Sequence, residues 1–197
     1  ACYEKVVEQL KEDHQVMVFV HSRKDTVNTA KGLRDIAVNY GELHWFECCY
    51  SLNSKKEVEK SKNRDLKFLF EWGFGIHNAG MLRKDRNLTE KLFREGQIKV
   101  LITTATLAWG VNLPAHAVII KGTEIYDSTI GDFKDVGVLD VQQIFGRAGR
   151  PDYDTSGVAE IITLRSKVDK YLQMLVYQRP IESRFLTHLE DALNAEI

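Results

Sequence analysis

The stretch VMVFV at 16–20 constrains the fold more than any other part of the chain. It is apolar without a break and rich in β-branched residues. A strand with one wet face alternates in polarity, so this one is expected to be buried on both faces. The following HSRKDTVNTAKGLRDIAVNY changes period. Val27, Ala30, Leu33 and Ala37 recur at helical spacing, and Gly41 stops the run. A doubly buried strand feeding an amphipathic helix is the start of a βαβ unit.

The same alternation returns downstream. FGIHNAG reads as a strand entering a glycine turn. LRKDRNLTEKLFREG reads as a helix with Leu88, Leu92 and Phe93 inward and Gly96 as its stop. IKVLITT (98–104), HAVII (116–120) and GVAEIITL (157–164) read as strands, ATLAWGVNLP as a loop and KVDKYLQMLVY as a helix. Ahead of the first strand, Val6, Val7 and Leu10 mark a helix from Tyr3 to Lys11. The fold class is therefore α/β, with a mostly parallel sheet flanked by helices. Residues 41–73 fit this rhythm least. HWFECCY is strand-like and SKKEVEKSKNRDLKFLFEWG helical, and no function attaches to either.

At 197 residues the chain is long enough for one well-buried domain. Its 27 Lys and Arg against 28 Asp and Glu give a net charge of −1. No global basic field recruits nucleic acid, so any such contact needs a local patch. Cys2, Cys48 and Cys49 are odd in number and lack metal-ligand spacing, which points to a reducing intracellular compartment. No apolar run has membrane-spanning length, and ACYEKVVEQL is not a signal peptide. The start without Met suggests a piece of a longer protein.

In open parallel sheets ligands bind beyond the carboxyl ends of the strands. Ser22, Arg23 and Lys24 follow one strand, and His77, Asn78, Gly80 and Arg83 another. Thr104, Thr106, Gly110 and Asn112 follow a third, and Arg147 and Arg150 follow the helix-like LDVQQIF. Hydroxyls, glycines and cations are thus expected together on one sheet edge, a composition that suits phosphate. In QQIFGRAGRP the two arginines could stabilise a transferring phosphoryl group through their rigid forks, or merely cap the preceding helix. Thr104 and Thr106 could donate to phosphate or satisfy local backbone, and Asn112 could meet a sugar hydroxyl. His77 has no paired nucleophile, so a packed or backbone-bonded histidine is expected rather than a catalytic base.

Two absences matter. There is no G-x-x-x-x-G-K-[ST] loop and no D-E-x-[DH] stretch after a buried strand. Glu124, Asp127, Asp132 and Asp135 lie in a turn-rich segment unsuited to cradling a metal, so no metal site is expected. The chain can stabilise phosphate charge but lacks the parts that hold a nucleoside triphosphate and its metal.

VMVFVHSRKDT, FGIHNAGMLRKDRNLTEKLF, VLITTATLAWGVNLPAHAVIIKG and LDVQQIFGRAGRPDYDTSG, in that order, resemble motifs IV, IVa, V and VI of superfamily 2 DExH-box helicases. The match spans nearly the whole chain and is to the second RecA-like domain of the Ski-like branch, nearest its large two-cassette members. The resemblance implies an ATP-dependent nucleic-acid helicase in the full-length protein, with ATP and Mg2+ held mainly by an upstream RecA-like lobe. It makes Arg150 the arginine finger, with Arg147 beside it and Gln143 at the nucleotide or its attacking water. It places Gly110 and Asn112 at the nucleotide's sugar. Ser22, Arg23, Gly80, Met81, Arg83, Thr104 and Thr106 would hold the backbone of the tracked strand.

The resemblance also implies a strand-separating β-hairpin at 122–137, around a turn from Asp127 to Asp132, with Tyr126 and Phe133 stacking at the duplex junction. Its plain alternative is an edge hairpin with aromatics packed on the sheet. The RecA-like domain would fill residues 1–179, and 180–197 would lead into a winged-helix domain. A multi-protein complex, no membrane, and a nuclear or cytoplasmic location are implied. Two competitors stay open: a catalytically inactive cassette serving as a protein-docking scaffold, and an unrelated phosphate-binding α/β domain.

Overall fold

In the computed structural model, residues 1–127, 131–150 and 154–177 are described. β1 (Val16–Val20) is the centre of a five-stranded, all-parallel sheet. All five of its residues are buried, because both neighbours and both faces are covered. On one side lies β3 (Val100–Thr104), paired Val16 to Val100, and beyond it β2 (Phe74–His77). On the other lie β4 (Ala117–Lys121), paired Val16 to Ala117, and then β7 (Val158–Ile162). The apolar runs of the sequence thus become the sheet, with α1 (Cys2–Lys11) turning Tyr3, Val6, Val7 and Leu10 into the core.

The helix that follows β1, α2 (Arg23–Tyr40), begins at Ser22, whose hydroxyl accepts from the Asp25 N–H at 3.1 Å. It ends at Gly41, which takes the left-handed φ of 68° that a side chain would resist.

Residues 41–73 differ from expectation. No strand forms near 44–50. A 3-10 turn at Leu43–Trp45 leads into irregular chain in which Phe46 is the one fully buried residue, stacked on Phe74 at 4.9 Å. A single buried anchor gives a loop, whereas a strand needs alternating burial. Gly73 fits this anchor, since a Cβ there would fall 1.7 Å from the Phe46 carbonyl oxygen. The helical stretch is split into α3 (Leu52–Glu59) and α4 (Arg64–Phe70), because Asn63 caps the second through the Leu66 N–H at 3.1 Å.

In α5 (Arg83–Arg94), Leu92 and Phe93 face inward as expected, but Leu88 is only half-buried. Asp85 and Thr89 take the inner face with them. Burial of Asp85 is compensated by the Ser61 hydroxyl, which donates to it at 2.7 Å and ties residues 60–63 to the helix. ATLAWGVNLP contains a short helix, α6 (Thr106–Gly110), because Leu107 and Ala108 are both buried.

β5 (Glu124–Asp127) and β6 (Asp132–Asp135) form the expected hairpin, so the four acidic residues lie in strands. Its tip, 128–130, lies outside the described residues. α7 (Val138–Phe145) then leads to the arginines. Residues Ala1–Leu164 form one compact unit. The second, from Arg165, opens on a 3-10 turn at Arg165–Lys167 and continues as α8 (Val168–Val176). The proposed winged-helix lead-in, 180–197, lies outside the described residues. Among the described residues no helix is long and apolar enough to cross a membrane.

Candidate nucleotide and nucleic-acid site

The candidate residues divide between opposite edges of the sheet, which corrects the expectation of a single edge. Ser22, Gly80 and Thr104 stand at the carboxyl ends of β1, β2 and β3. The arginines do not. The Ala115 N–H donates to the Arg147 carbonyl at 3.0 Å, and the Gly149 N–H donates to the Ala115 carbonyl at 2.7 Å. Ala115 lies two residues before β4, so this is the amino edge. Arg150 confirms it, donating from Nη1 at 3.4 Å to Oε1 of Gln15, the residue before β1. The physical reason is that α7 follows β4 and the hairpin, and its chain returns antiparallel to the strands. A five-residue strand separates the edges by roughly 16 Å.

The carboxyl-edge group is tightly built. Arg23 lies over Gly80, where a Cβ would meet its Cδ at 3.1 Å. Asn78 organises the turn. Its Oδ1 accepts from the Gly80 N–H at 3.0 Å, and its Nδ2 donates to the Thr26 hydroxyl at 3.0 Å. Ser22 and Arg23 are exposed, as is Arg83 at the start of α5. Thr104 and Thr106 sit together with their hydroxyls 3.0 Å apart. Met81 differs from its expected role. Its side chain is buried in the core and its N–H donates to the Asn78 carbonyl at 3.1 Å, so neither is at the disposal of a ligand.

His77 is buried beside this group. It is the packed histidine of the two expected alternatives, and its Nε2 pairs with Glu90 Oε1 at 2.8 Å rather than with backbone. Burial depresses its pKa, and Glu90 opposes that only in part.

At the amino edge Arg147 bridges two segments. Its Nη2 donates to the Ala108 carbonyl, and its Nη1 donates to Asn112 Oδ1 at 3.4 Å. The segment 108–112, which contains Gly110 and Asn112, is therefore joined to the arginine turn. Beyond Gly110 there is open space, and Gln143 is exposed four residues before Arg147. Arg150 is gripped by Asp154, with Nε to Oδ2 at 3.0 Å and Nη2 to Oδ1 at 2.9 Å. These bonds hold the Asp154 carboxyl well below the usual carboxylate range. Among the described residues no cluster of His, Cys, Asp or Glu could hold a metal ion.

On the hairpin, Tyr126 and Phe133 pair across the strands edge to face, with centroids 5.4 Å apart. They are 58% and 61% exposed, so they do not pack on the sheet. Sequence reasoning missed Trp109, exposed with Nε1 donating to Asp140 at 3.1 Å, and it missed Gln15 and Asp154. Only Asp154 left a trace, as the second of two aspartates in the GRAGRPDYD run.

Residues 1–152 match the model for the helicase conserved C-terminal domain. The chain is 58% identical over its whole length to the DExH-box ATP-dependent RNA helicase DExH14 of Arabidopsis thaliana. It is 55% and 56% identical, again over its whole length, to activating signal cointegrator 1 complex subunit 3 of Danio rerio and of Homo sapiens. It spans 9%, 13% and 9% of those proteins respectively, so it corresponds to about a tenth of each. These relatives agree with the resemblance of motifs IV to VI to Ski-like DExH-box helicases. The chain belongs to the family of helicase conserved C-terminal domains.

Proposed function

We propose that this chain is the C-terminal RecA-like lobe of an ATP-dependent helicase and supplies half of its ATPase site. The observation that carries the reading is the division of the site between two sheet edges. The amino edge holds a cationic, Asn-bearing group suited to a nucleotide's phosphates and sugar. The carboxyl edge holds hydroxyls, a glycine turn and Arg23 and Arg83, suited to a phosphodiester backbone. One lobe with two such edges can couple a phosphate-sensing event to the grip on a strand.

In this reading ATP supplies the phosphoryl group whose charge Arg150 stabilises, with Arg147 beside it and Gln143 toward the attacking water. Gly110 leaves room for the nucleotide, and Asn112 meets its ribose. Mg2+ would be held by an upstream lobe, since the described residues offer no donor cluster. Ser22, Arg23, Gly80, Arg83, Thr104 and Thr106 bear on the tracked strand, and Tyr126 and Phe133 offer ring faces and edges to bases at the duplex junction. The relatives' names favour RNA as the strand and a multi-subunit assembly as the setting. An upstream RecA-like lobe and a downstream winged-helix domain in the same chain complete the proposal. An intracellular location, the nucleus first, fits three free cysteines.

The test is Arg150→Ala in the full-length protein. ATP turnover should fall by about 10³-fold or more while nucleic-acid affinity is retained. Turnover close to the unmutated rate would remove the finger assignment and leave the scaffold reading. The 197-residue lobe alone should show no ATPase, and measurable hydrolysis by it would overturn the half-site argument.

A further inference from the structure

We propose that Asp154 is the positioning residue of Arg150: its carboxylate sets the plane and reach of the guanidinium that meets the phosphoryl group. This rests on the finger reading of Arg150. The structure holds the two residues by four hydrogen bonds within one turn. The Arg150 N–H donates to Asp154 Oδ2 at 2.9 Å, and the Asp154 N–H donates to the Arg150 carbonyl at 2.9 Å. The side chains then meet as a fork, Nε to Oδ2 at 3.0 Å and Nη2 to Oδ1 at 2.9 Å. A bidentate pair fixes the guanidinium plane, which a single contact cannot do.

The surroundings suit a support rather than a surface ion pair. The Asp154 side chain is 6% exposed, whereas that of Arg150 keeps 28% of its surface open. The carboxylate is thus withdrawn into the protein while part of the cation faces outward. Behind it, His116 Nδ1 stands 3.4 Å from Oδ2, beyond a good hydrogen bond, so the carboxylate serves Arg150 first. The His116 ring is itself fixed by stacking on His14, with centroids 3.4 Å apart and planes 15° from parallel. Gln15 Oε1 accepts from Nη1 and adds a limit on the third nitrogen. Gln15 is anchored in turn by its Nε2, which donates to the Phe93 and Ile98 carbonyls at 2.7 Å each. The finger is therefore referenced to the β1 and β4 ends of the sheet before any nucleotide arrives. Such preorganisation is what charge stabilisation without reorganisation demands.

The experiment measures nucleic-acid-stimulated ATP turnover of the full-length protein. Asp154→Asn should lower kcat on the order of 10²-fold, with KM for ATP and nucleic-acid affinity within about threefold. Asp154→Glu, which keeps the charge but moves the fork, should fall between. In the Arg150→Ala background, Asp154→Asn should cost nothing further, because its effect passes through Arg150. Should Asp154→Asn also lower the melting midpoint and nucleic-acid binding, Asp154→Glu decides: reduced kcat with intact binding supports positioning, and unchanged kcat overturns it. The inference is likewise overturned if Asp154→Asn leaves kcat within threefold or raises it while Arg150→Ala abolishes turnover, or if the two losses add. If Arg150→Ala itself leaves turnover intact, the finger reading fails, and the role assigned to Asp154 fails with it.

Discussion

Arg23 and Gly80 come from different strand ends and meet at the carboxyl edge, with the Arg23 stem where a residue-80 side chain would otherwise stand. A Cβ at residue 80 would lie 3.1 Å from Arg23 Cδ and 3.2 Å from Asn78 Oδ1. Gly80→Ala therefore disturbs the arginine and the Asn78 turn at once. The expected loss is about one hydrogen bond, ~1 kcal/mol, or roughly fivefold weaker nucleic-acid binding. Fluorescence anisotropy with a labelled single strand checks it. Unchanged affinity would detach Arg23 from the strand.

Arg147 joins α6 and its following loop to the turn after α7, through the Ala108 carbonyl and Asn112. A lysine cannot make both contacts, because it lacks a planar fork. Arg147→Lys should therefore cost about 1–3 kcal/mol of stability through an unsatisfied carbonyl. It should also weaken nucleotide binding in the full-length protein by loosening Asn112. Denaturant melts and nucleotide titrations report the two effects separately, and a wild-type melt would show that Arg147 does not couple these segments.

Two glycines separate backbone crowding from backbone conformation. At Gly157 a Cβ would fall 2.5 Å from the Gly149 nitrogen and 2.7 Å from the Ala148 carbonyl carbon, so the two chains cannot both keep their places. Gly96 has a φ of 73° but nothing within 4 Å of its Cβ position. Gly157→Ala should destabilise by about 3 kcal/mol through overpacking against rigid backbone, and Gly96→Ala by only about 1 kcal/mol of left-handed strain. Gly157→Ala should also lower ATP turnover in the full-length protein, because the displaced chain carries Arg147 and Arg150. Equal melting points for the two variants would falsify this account.

Much of the architecture was legible because the signal was local. Runs such as VMVFV, short, unbroken and β-branched, favour doubly buried strands, and Gly41 supplies the left-handed residue that ends a helix. The site's parts were legible through ordered motifs. What a one-dimensional reading could not carry was direction. Arg147 and Arg150 look equivalent to Arg23 on the page, yet α7 delivers them to the opposite edge. Burial of polar groups was equally hidden: Asp85 reads as a solvated helix residue until Ser61, 24 positions away, is seen bonded to it. Phe46 misled in the other direction, since one buried aromatic in HWFECCY imitates a strand. Asp154 could not be weighed without its partner's geometry.

The last prediction concerns pH. His77 sits buried at the end of β2, and burial lowers its pKa despite the Glu90 carboxylate at 2.8 Å. In the unfolded chain it titrates at ~6.5. Below that range the unfolded state takes up a proton that the folded state resists, so the proton favours unfolding. The stability linked to His77 is therefore complete above the unfolded value and is lost as pH falls through the depressed folded one. His77→Gln, which keeps an amide donor for Glu90 but cannot titrate, should remove that part of the acid limb. Urea unfolding midpoints of both proteins, measured from about pH 5 to about pH 7.5, should converge as pH falls, with the unmutated protein ahead only at the upper end. A constant gap across the range would mean that the Glu90 contact cancels burial, and a gap that widens as pH falls that it outweighs burial; either result shows that His77 is not held neutral by its surroundings.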